Sequence, residues 1–221
     1  GLDRIRISSI EPTTITNALL DRMATSSKLC PYLHIPLQSG DDTILSSMNR
    51  PYNVEEFTRL IRRAGAAIPH LGLGTDLMVG FPGETEEAFK HTLGIARELP
   101  FSYFHVFTYS QRPGTAATKL PDQVPIVVAR ERAKILAELS RLKRLAFAER
   151  YIGSTLSVLF ESGEMDGYRL GVTANFLKVS VPSNIDLTNH LKAVRVIGAS
   201  VRWALGQLTA EHQPMREVPV L

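Results

Sequence analysis

Two polar turns, each directly after an apolar stretch, carry residue types that bind small ligands. The first turn covers residues 38–42 and the second covers residues 80–85. A structural turn needs Gly and Asp, but it has no need of the adjacent hydrogen-bonding side chains of Gln38 and Ser39. Because ligand-binding groups gather at the carboxyl ends of parallel strands, the two turns together predict one binding surface.

The chemistry offered by these turns is that of a cofactor cradle, without an evident nucleophile and base. Carboxylate and Gln side chains suit ribose hydroxyls, residues 79–82 offer an apolar wall and backbone groups to an adenine, and Arg50 suits a ligand carboxylate. The residues expected along one rim are Ser8, Ser9, Glu11, Gln38, Ser39, Gly40, Gly80, Pro82, Gly83, Ser110 and Arg112.

The histidines and the single cysteine do not predict a metal site. His34 and His105 fall inside predicted strands and are interpreted as interior histidines, and no His and Cys pair has metal-ligand spacing. Cys30, between Leu29 and Pro31, is interpreted as a small buried hydrophobe that cannot hold an iron–sulfur cluster by itself. One cysteine excludes a disulfide framework and fits a reducing compartment, so a cytoplasmic location is expected.

Alternating strands and helices must position the turns. Strands are predicted at residues 4–7, 33–37, 73–79 and 103–109, with helices between them and a long helix over residues 127–151. Asp41 or Asp42 is predicted to cap one helix, and Asn53 with Glu56 forms a capping box for the next. This order predicts a parallel α/β sheet, either open or curved into a barrel.

After residue 153 the pattern changes to short β-rich runs. Strands are predicted at residues 155–160, 168–173, 176–182, 192–197 and 201–205, which indicates a small closed barrel of the oligonucleotide-binding type. The predicted domains are therefore residues 1–150, residues 151–208 and a tail at 209–221. Candidate RNA-binding residues in the barrel are Lys178, Arg195, Arg202 and Trp203, although Trp203 also fits a core position.

Charge and length limit which kinds of protein and partner the sequence allows. The chain has 221 residues, a net charge of +3 and 44% hydrophobic residues, which suffices for a real core. No apolar run approaches the roughly 20 residues of a membrane span, so no membrane partner is predicted. Basic residues concentrate between Arg130 and Arg150, either as a solvated helix face or as a phosphate-facing surface.

The turn motifs, taken together, resemble the radical S-adenosylmethionine (SAM) methylthiotransferases. The matching motifs are Ser8-Ser9-Ile10-Glu11-Pro12, His34-Ile35-Pro36-Leu37-Gln38-Ser39-Gly40, Met48-Asn49-Arg50-Pro51-Tyr52, Gly80-Phe81-Pro82-Gly83-Glu84-Thr85 and Arg112-Pro113-Gly114-Thr115. The resemblance implies the carboxyl-terminal part of a partial (β/α)6 barrel followed by a TRAM domain, an RNA-binding barrel. Residues 171, 173, 175 and 179 fit the TRAM pattern, and Phe176 stands where Tyr is usual.

The same resemblance implies cofactors and partners. The family inserts a methylthio group into a base of tRNA by radical chemistry, with SAM and two four-iron clusters; the sulfur donor is not identified by the sequence. The implied SAM contacts in this chain are Ser9, Glu11, Gln38, Ser39, Gly40, Arg50, Asp76, Val79 and Gly80. The family's cluster-binding cysteines lie ahead of the first strand, so we expect the missing amino-terminal portion of the same protein as a partner and no activity from this chain alone.

The first two motifs favour the branch of the family that acts on threonylcarbamoyladenosine beside the anticodon. Two alternatives stay open at this point. One is the branch acting on isopentenyladenosine, and the other is a non-catalytic RNA-binding module with a vestigial barrel. Gly1 in place of Met, followed closely by a predicted strand, also leads us to expect a chain cut from a longer protein.

Overall fold

A computed structural model describes residues 2–209, and the predicted tail from residue 210 onward lies outside the described residues. The α-helices of the described part are α1 (Asn17–Thr25), α2 (Asp42–Ser47), α3 (Val54–Ala67), α4 (Glu86–Glu98) and α5 (Ile126–Glu149). Its strands are β1 (Tyr32–His34), β2 (Gly72–Val79), β3 (Tyr103–Thr108), β4 (Thr155–Met165), β5 (Tyr168–Thr173), β6 (Lys178–Pro182), β7 (Leu191–Ala199) and β8 (Ala204–Leu208). No helix in this part is both long and apolar enough to cross a membrane.

The first three strands form a sheet in the order β1-β2-β3, and β2 runs parallel to β3. Strand β1 is shorter than predicted because Pro36 has no N–H to donate. The Leu37 N–H bonds to the Thr75 side-chain oxygen at 3.0 Å instead of a carbonyl. The Tyr52 hydroxyl donates to the Pro36 carbonyl at 3.1 Å, and burial raises the pKa of Tyr52 to about 12.

The predicted strand at residues 4–7 is not a strand in the structure. Within it, Ile5 makes an isolated parallel bridge with Leu29, and the next bridge, Ser9 with His34, lies beyond residue 7. The partner lies 24 residues ahead in the first bridge and 25 residues ahead in the second, so the register shifts by one residue. A continuous ladder needs a constant register, and this segment does not keep one.

Local sequence signals set the helix starts as predicted. The Asp41 carboxylate accepts hydrogen bonds from the N–H groups of Thr43 and Ile44 at the start of α2. At the start of α3, Asn53 and Glu56 form the reciprocal capping box. The predicted long helix is α5, which runs from Ile126 to Glu149.

The five remaining strands close into a barrel in the order β4-β5-β6-β8-β7. Its interior is apolar, with Val158, Phe160, Val179 and Val194 fully or almost fully buried. A Cβ added to Gly206 would lie 2.3 Å from the Val194 side chain, so closure at this radius requires glycine there. Strand β8 begins at Ala204, later than predicted, because the backbone of Ser200 and Trp203 closes a turn just ahead of it.

By compactness the chain divides into two units. Of the described residues, the sheet unit contains 7–25 and 33–140, and the barrel unit contains 2–6, 26–32 and 141–209. The predicted domain boundaries at residues 150 and 208 stay a prediction.

Candidate functional site

The first polar turn is held in place by backbone bonds to β2. Gln38 adopts a φ of 71°, the left-handed conformation that L-residues rarely adopt. Its N–H donates to the Asp76 carbonyl, and its own carbonyl accepts from the Met78 N–H, both at 2.8 Å. These bonds anchor Gln38 at the edge of the sheet, with its side chain half-buried.

Ser39 and Gly40 lie against helix α4. The buried Ser39 hydroxyl lies 3.4 Å from the Thr92 hydroxyl, and the Gly40 N–H donates to that same oxygen at 2.9 Å. A Cβ on Gly40 would approach the Thr92 backbone to 2.6 Å, so this position requires glycine for close packing. Their predicted cofactor contacts stay predictions; the contacts the structure describes support the turn.

The second turn is locked by a buried ion pair. The Gly80 N–H donates to the Glu84 carboxylate at 2.6 Å, and Arg132 from α5 donates to the same oxygen at 2.7 Å. Arg132 also donates to the Glu84 carbonyl at 2.9 Å. Burial raises the pKa of the Glu84 carboxyl, and these hydrogen bonds only partly offset it. Gly80 has a φ of 78°, which only glycine adopts at little cost.

Arg132 and Glu84 are the residues that sequence reasoning missed. The sequence places Arg132 among the basic residues of a possible phosphate-facing helix surface, but its side chain is only 8% exposed. That interpretation is wrong for Arg132, because its guanidinium faces Glu84 inside the sheet unit. The available signal was the helical spacing of the residues on the buried face of α5. Such spacing can indicate that a residue faces the core, but it does not identify its partner in another element.

Glu11 and Arg50 pair at the same edge. The Arg50 guanidinium lies 3.4 Å from the Glu11 carboxylate, and half of the Glu11 side chain is exposed. The Arg50 Nε is buried and has no hydrogen-bond partner among residues 2–209. Such a donor is available to an acceptor oxygen of a ligand.

The remaining predicted cradle residues differ in accessibility. Val79 is fully buried at the end of β2, and its carbonyl accepts the Tyr109 N–H at 2.8 Å. Ser9 is exposed beside His34, whereas the Asp76 carboxylate contacts two histidines within the sheet face. The Tyr109 hydroxyl is a further buried polar atom that finds no partner in the described chain, and sequence reasoning did not select it.

Asp76 joins His34 and His105 across the three strands. Its Oδ1 lies 3.0 Å from His34 Nε2 and 3.2 Å from His105 Nδ1. Burial acts to raise the pKa of Asp76, but the hydrogen bonds and charge interactions with both histidines outweigh it and lower that pKa. His34 is buried as predicted, whereas 55% of the His105 side chain is exposed, so its interpretation as an interior histidine is wrong. Tyr103 and Asp76 flank it without covering it.

These residues fit a nucleotide-like cofactor such as SAM. Among the described residues the Arg50 Nε and the Tyr109 hydroxyl have no partner, so they supply the donors. They do not fit an iron–sulfur cluster, since the chain has one cysteine, and Cys30 is buried.

Two of the predicted RNA-binding residues of the barrel unit, Lys178 and Trp203, contact each other. The Lys178 ammonium lies 5.5 Å from the centre of the Trp203 ring, and Arg202 is exposed beside it. Arg195 is exposed on β7 and pairs in register with Gln207 of β8. The buried Trp203 Nε1 has no partner within the described residues, so the indole keeps a free donor. The structure therefore places Lys178, Arg202 and Trp203 near the start of β8, whereas Arg195 lies beside the far end of that strand.

Phe176, which stands where the TRAM pattern usually has Tyr, packs against Arg6 and Tyr32. The Arg6 guanidinium lies 4.9 Å from the centre of its ring, and the Tyr32 ring lies 4.6 Å from it. Arg6 also donates to the Thr173 carbonyl at 3.1 Å. Phe176 thus serves the packing of residues 1–6 and 26–32 on the barrel.

Comparison with known proteins gives a consistent result. Residues 2–96 match the radical SAM superfamily. The chain is 44% identical over 174 residues to a tRNA-2-methylthio-N(6)-dimethylallyladenosine synthase of Mycobacteroides abscessus, covering 79% of this chain and 34% of that protein. It is 37% identical over 211 residues to the threonylcarbamoyladenosine tRNA methylthiotransferase MtaB of Bacillus subtilis, covering 94% of this chain and 47% of that protein.

A solved structure is similar in fold. Coproporphyrinogen III oxidase (HemN) from Escherichia coli, a radical SAM enzyme, aligns with a TM-score of 0.51 at 20% identity, over 88% of this chain and 44% of that one. The chain spans about a third to a half of the length of the curated relatives above.

Proposed function

We propose that the chain is part of an enzyme that methylthiolates threonylcarbamoyladenosine in tRNA, because residues 2–96 match the radical SAM superfamily and the chain is similar to tRNA methylthiotransferases. In this proposal the sheet unit binds SAM and the barrel unit, as a TRAM domain, binds the tRNA. The whole enzyme carries two four-iron clusters and works in the cytoplasm, where a single free cysteine stays reduced.

One observation carries the cofactor proposal: two turns at the carboxyl ends of neighbouring strands are held rigidly in left-handed conformations. Gln38 is anchored by β2, and Gly80 is anchored by Glu84 and Arg132. Pre-organised backbone at such an edge binds a ligand without the cost of ordering loops. SAM, when bound, supplies the radical chemistry of the superfamily. The cysteines that hold the four-iron cluster must come from outside this chain.

Different rim residues are proposed to contact different parts of SAM. We assign the ribose hydroxyls to Glu11 and Gln38, and the adenine to the apolar wall of residues 79–82. We assign the methionine carboxylate of SAM to Arg50, whose buried Nε is unpartnered in the described chain. We assign no particular part of SAM to the other proposed contacts, Ser9, Ser39, Gly40 and Asp76. Their described contacts are with other residues of the protein.

The barrel proposal is supported by one basic and aromatic wall. Lys178 and Arg202 offer phosphate contacts beside Trp203, whose indole offers a stacking face, and Arg195 offers a further contact at the far end of β8. Lys178 now covers that face, so a stacked base has to displace its ammonium toward a phosphate. Basic side chains around an aromatic platform are typical of single-stranded RNA binding.

A second candidate substrate is dimethylallyladenosine in tRNA. It is favoured by the relative of 44% identity, whose name specifies that base. The motif at residues 8–12 favours threonylcarbamoyladenosine instead. The two bases leave different methylthio products, so the nucleosides of the tRNA distinguish them.

The test uses the gene encoding this chain, with any coding sequence upstream of Gly1. It is expressed in a strain that lacks its own methylthiotransferases for threonylcarbamoyladenosine and for dimethylallyladenosine in tRNA. We expect mass spectrometry of the tRNA nucleosides to find methylthio-threonylcarbamoyladenosine. The product should be lost in Arg50→Ala and kept in Arg59→Ala, an exposed arginine of α3. The dimethylallyl product alone would transfer the proposal to the second substrate, and neither product would overturn it.

The RNA surface has its own test. Trp203→Ala is expected to weaken binding of unmodified tRNA by the value of one stacked base, about 1–3 kcal/mol. Tyr168→Ala, an exposed aromatic elsewhere on the barrel, should leave binding unchanged. Equal affinities of Trp203→Ala and wild type would contradict the proposed RNA surface.

A further inference from the structure

Three potential metal ligands lie side by side on one face of the sheet. His34 is on β1, Asp76 on β2 and His105 on β3, which are neighbours in the sheet. Asp76 and His105 are direct partners in the parallel register of β2 and β3. One ligand atom from each residue lies within 4.8 Å of the other two.

Two of the three distances between the ligand atoms fall in the range found around a metal ion, and the third is within 4.8 Å. Ligand atoms at about 2.0–2.2 Å from one ion, at right or tetrahedral angles, lie about 3.0–3.5 Å from each other. The Asp76 Oδ1 lies 3.0 Å from His34 Nε2 and 3.2 Å from His105 Nδ1.

The surrounding residues orient the buried ligand. The second nitrogen of His34, Nδ1, lies 3.3 Å from the Tyr103 hydroxyl, the kind of outer contact that fixes a ligating imidazole. Gly74 keeps room for both rings, because a Cβ there would lie 2.6 Å from His34 Nδ1 and 2.7 Å from the Tyr103 hydroxyl. Tyr103 and Gly74 thus favour one particular orientation of the His34 ring.

We propose that His34, Asp76 and His105 bind one divalent transition-metal ion, with Zn²⁺ as the expected class. Two imidazoles and one carboxylate suit Zn²⁺ or Fe²⁺ and disfavour Ca²⁺ and Mg²⁺, which prefer oxygen ligands alone. His105 is largely exposed, so the remaining coordination positions face solvent and take water or a ligand oxygen or nitrogen. This inference does not depend on the proposed function.

The test uses the 221-residue chain without an affinity tag, stripped with a chelator and titrated with Co²⁺ as a spectroscopic probe and with Zn²⁺. We expect one ion per chain, with Co²⁺ giving the visible absorption of a site with nitrogen and oxygen ligands. His105→Ala is the main variant, because an exposed side chain can be removed without unfolding the sheet. It should weaken binding by more than about 100-fold, since outer partners alone cost about 10–100-fold.

Two further variants make the test specific. Tyr103→Phe removes only the outer contact and should weaken binding by about tenfold. His91→Ala is the matched control, because His91 pairs with Asp41 at 2.9 Å but belongs to no three-ligand group among the described residues. Absence of stoichiometric binding, or equal loss in His91→Ala and His105→Ala, would overturn the proposal and leave the three residues as a hydrogen-bonded group.

Discussion

The sheet unit and the barrel unit differ in where they place their charged side chains. Under its rim the sheet unit buries a charged pair, Glu84 with Arg132, and it lays a polar triad around Asp76 across its face. The barrel interior is built from apolar side chains such as Val158, Phe160 and Val194, and its charged residues lie on the outer wall. In the sheet unit, therefore, the support of the site and the stability of the fold depend on the same residues.

This difference predicts how substitutions will act. Removing one partner of a buried ion pair leaves an unpaired charge, which is costly in a low-dielectric interior. Removing a charge from a barrel surface costs the fold little and affects only what that surface binds. Four substitutions test this contrast.

The largest effect is expected from Arg132→Ala in the sheet unit. It leaves Glu84 buried without its cation and should lower the free energy of unfolding by about 3–5 kcal/mol in chemical denaturation. Lys134→Ala, an exposed residue two positions along α5, is the control and should change it by less than about 0.5 kcal/mol. A small effect of Arg132→Ala would mean that the sheet unit does not depend on this pair.

The next effect tests the apolar interior of the barrel. Gly206→Ala places a methyl group 2.3 Å from Val194 and 3.0 Å from Val179, and overpacking should cost about 1–3 kcal/mol. Gly198→Ala meets its nearest atom at an ordinary 3.5 Å and serves as the control. Equal stability of the two variants, measured by thermal unfolding, would show that the barrel adjusts its radius.

A smaller, pH-dependent effect is expected at Asp76. Its pKa is lower in the folded chain than in the unfolded chain, so its stabilisation is present above the unfolded pKa and is lost as pH falls through the folded pKa. With a chelator present, Asp76→Asn should cost about 1 kcal/mol near neutral pH, and the difference from wild type should shrink between about pH 5 and pH 2. Asp21→Asn on the exposed face of α1 should show no such trend. A pH-independent difference would contradict this assignment.

The smallest effect on the fold is expected at Lys178. Lys178→Ala should leave the unfolding free energy within about 0.5 kcal/mol of wild type. It should make the slope of log K for tRNA binding against log salt concentration shallower by about 0.7, the value of one phosphate contact on a single strand. Lys119→Ala in the sheet unit should alter neither quantity. An unchanged salt slope would remove Lys178 from the proposed RNA surface.

The accuracy of the sequence predictions follows the range of the interactions involved. The capping box at Asn53 and Glu56 and the bounds of β5 were predicted correctly, because residues within a few positions of each other decide them. The predicted strand at residues 4–7 is wrong, because a shift of register between two segments breaks its pairing. Pairing register between distant segments has no local signal in the chain.

The candidate sites show the same limit. The edge of the sheet with Gln38 and Gly80 was predicted, since a polar turn after an apolar strand is a local pattern. Arg132 was misinterpreted as a surface residue, and the triad around Asp76 was not predicted. Their partners come from separate elements, and spacing along the chain does not encode those distances.

The sequence by itself determined the α/β order of the first part, the β-rich second part and the two turns, through periodicity, caps and turn residues. It also determined that this chain cannot ligate an iron–sulfur cluster, because it has one cysteine. Only the tertiary structure decided that Arg132 supports the Gly80 turn and that His34, Asp76 and His105 converge. The physical reason is that burial and charge pairing depend on distances in space, which are fixed when strands and helices pack together.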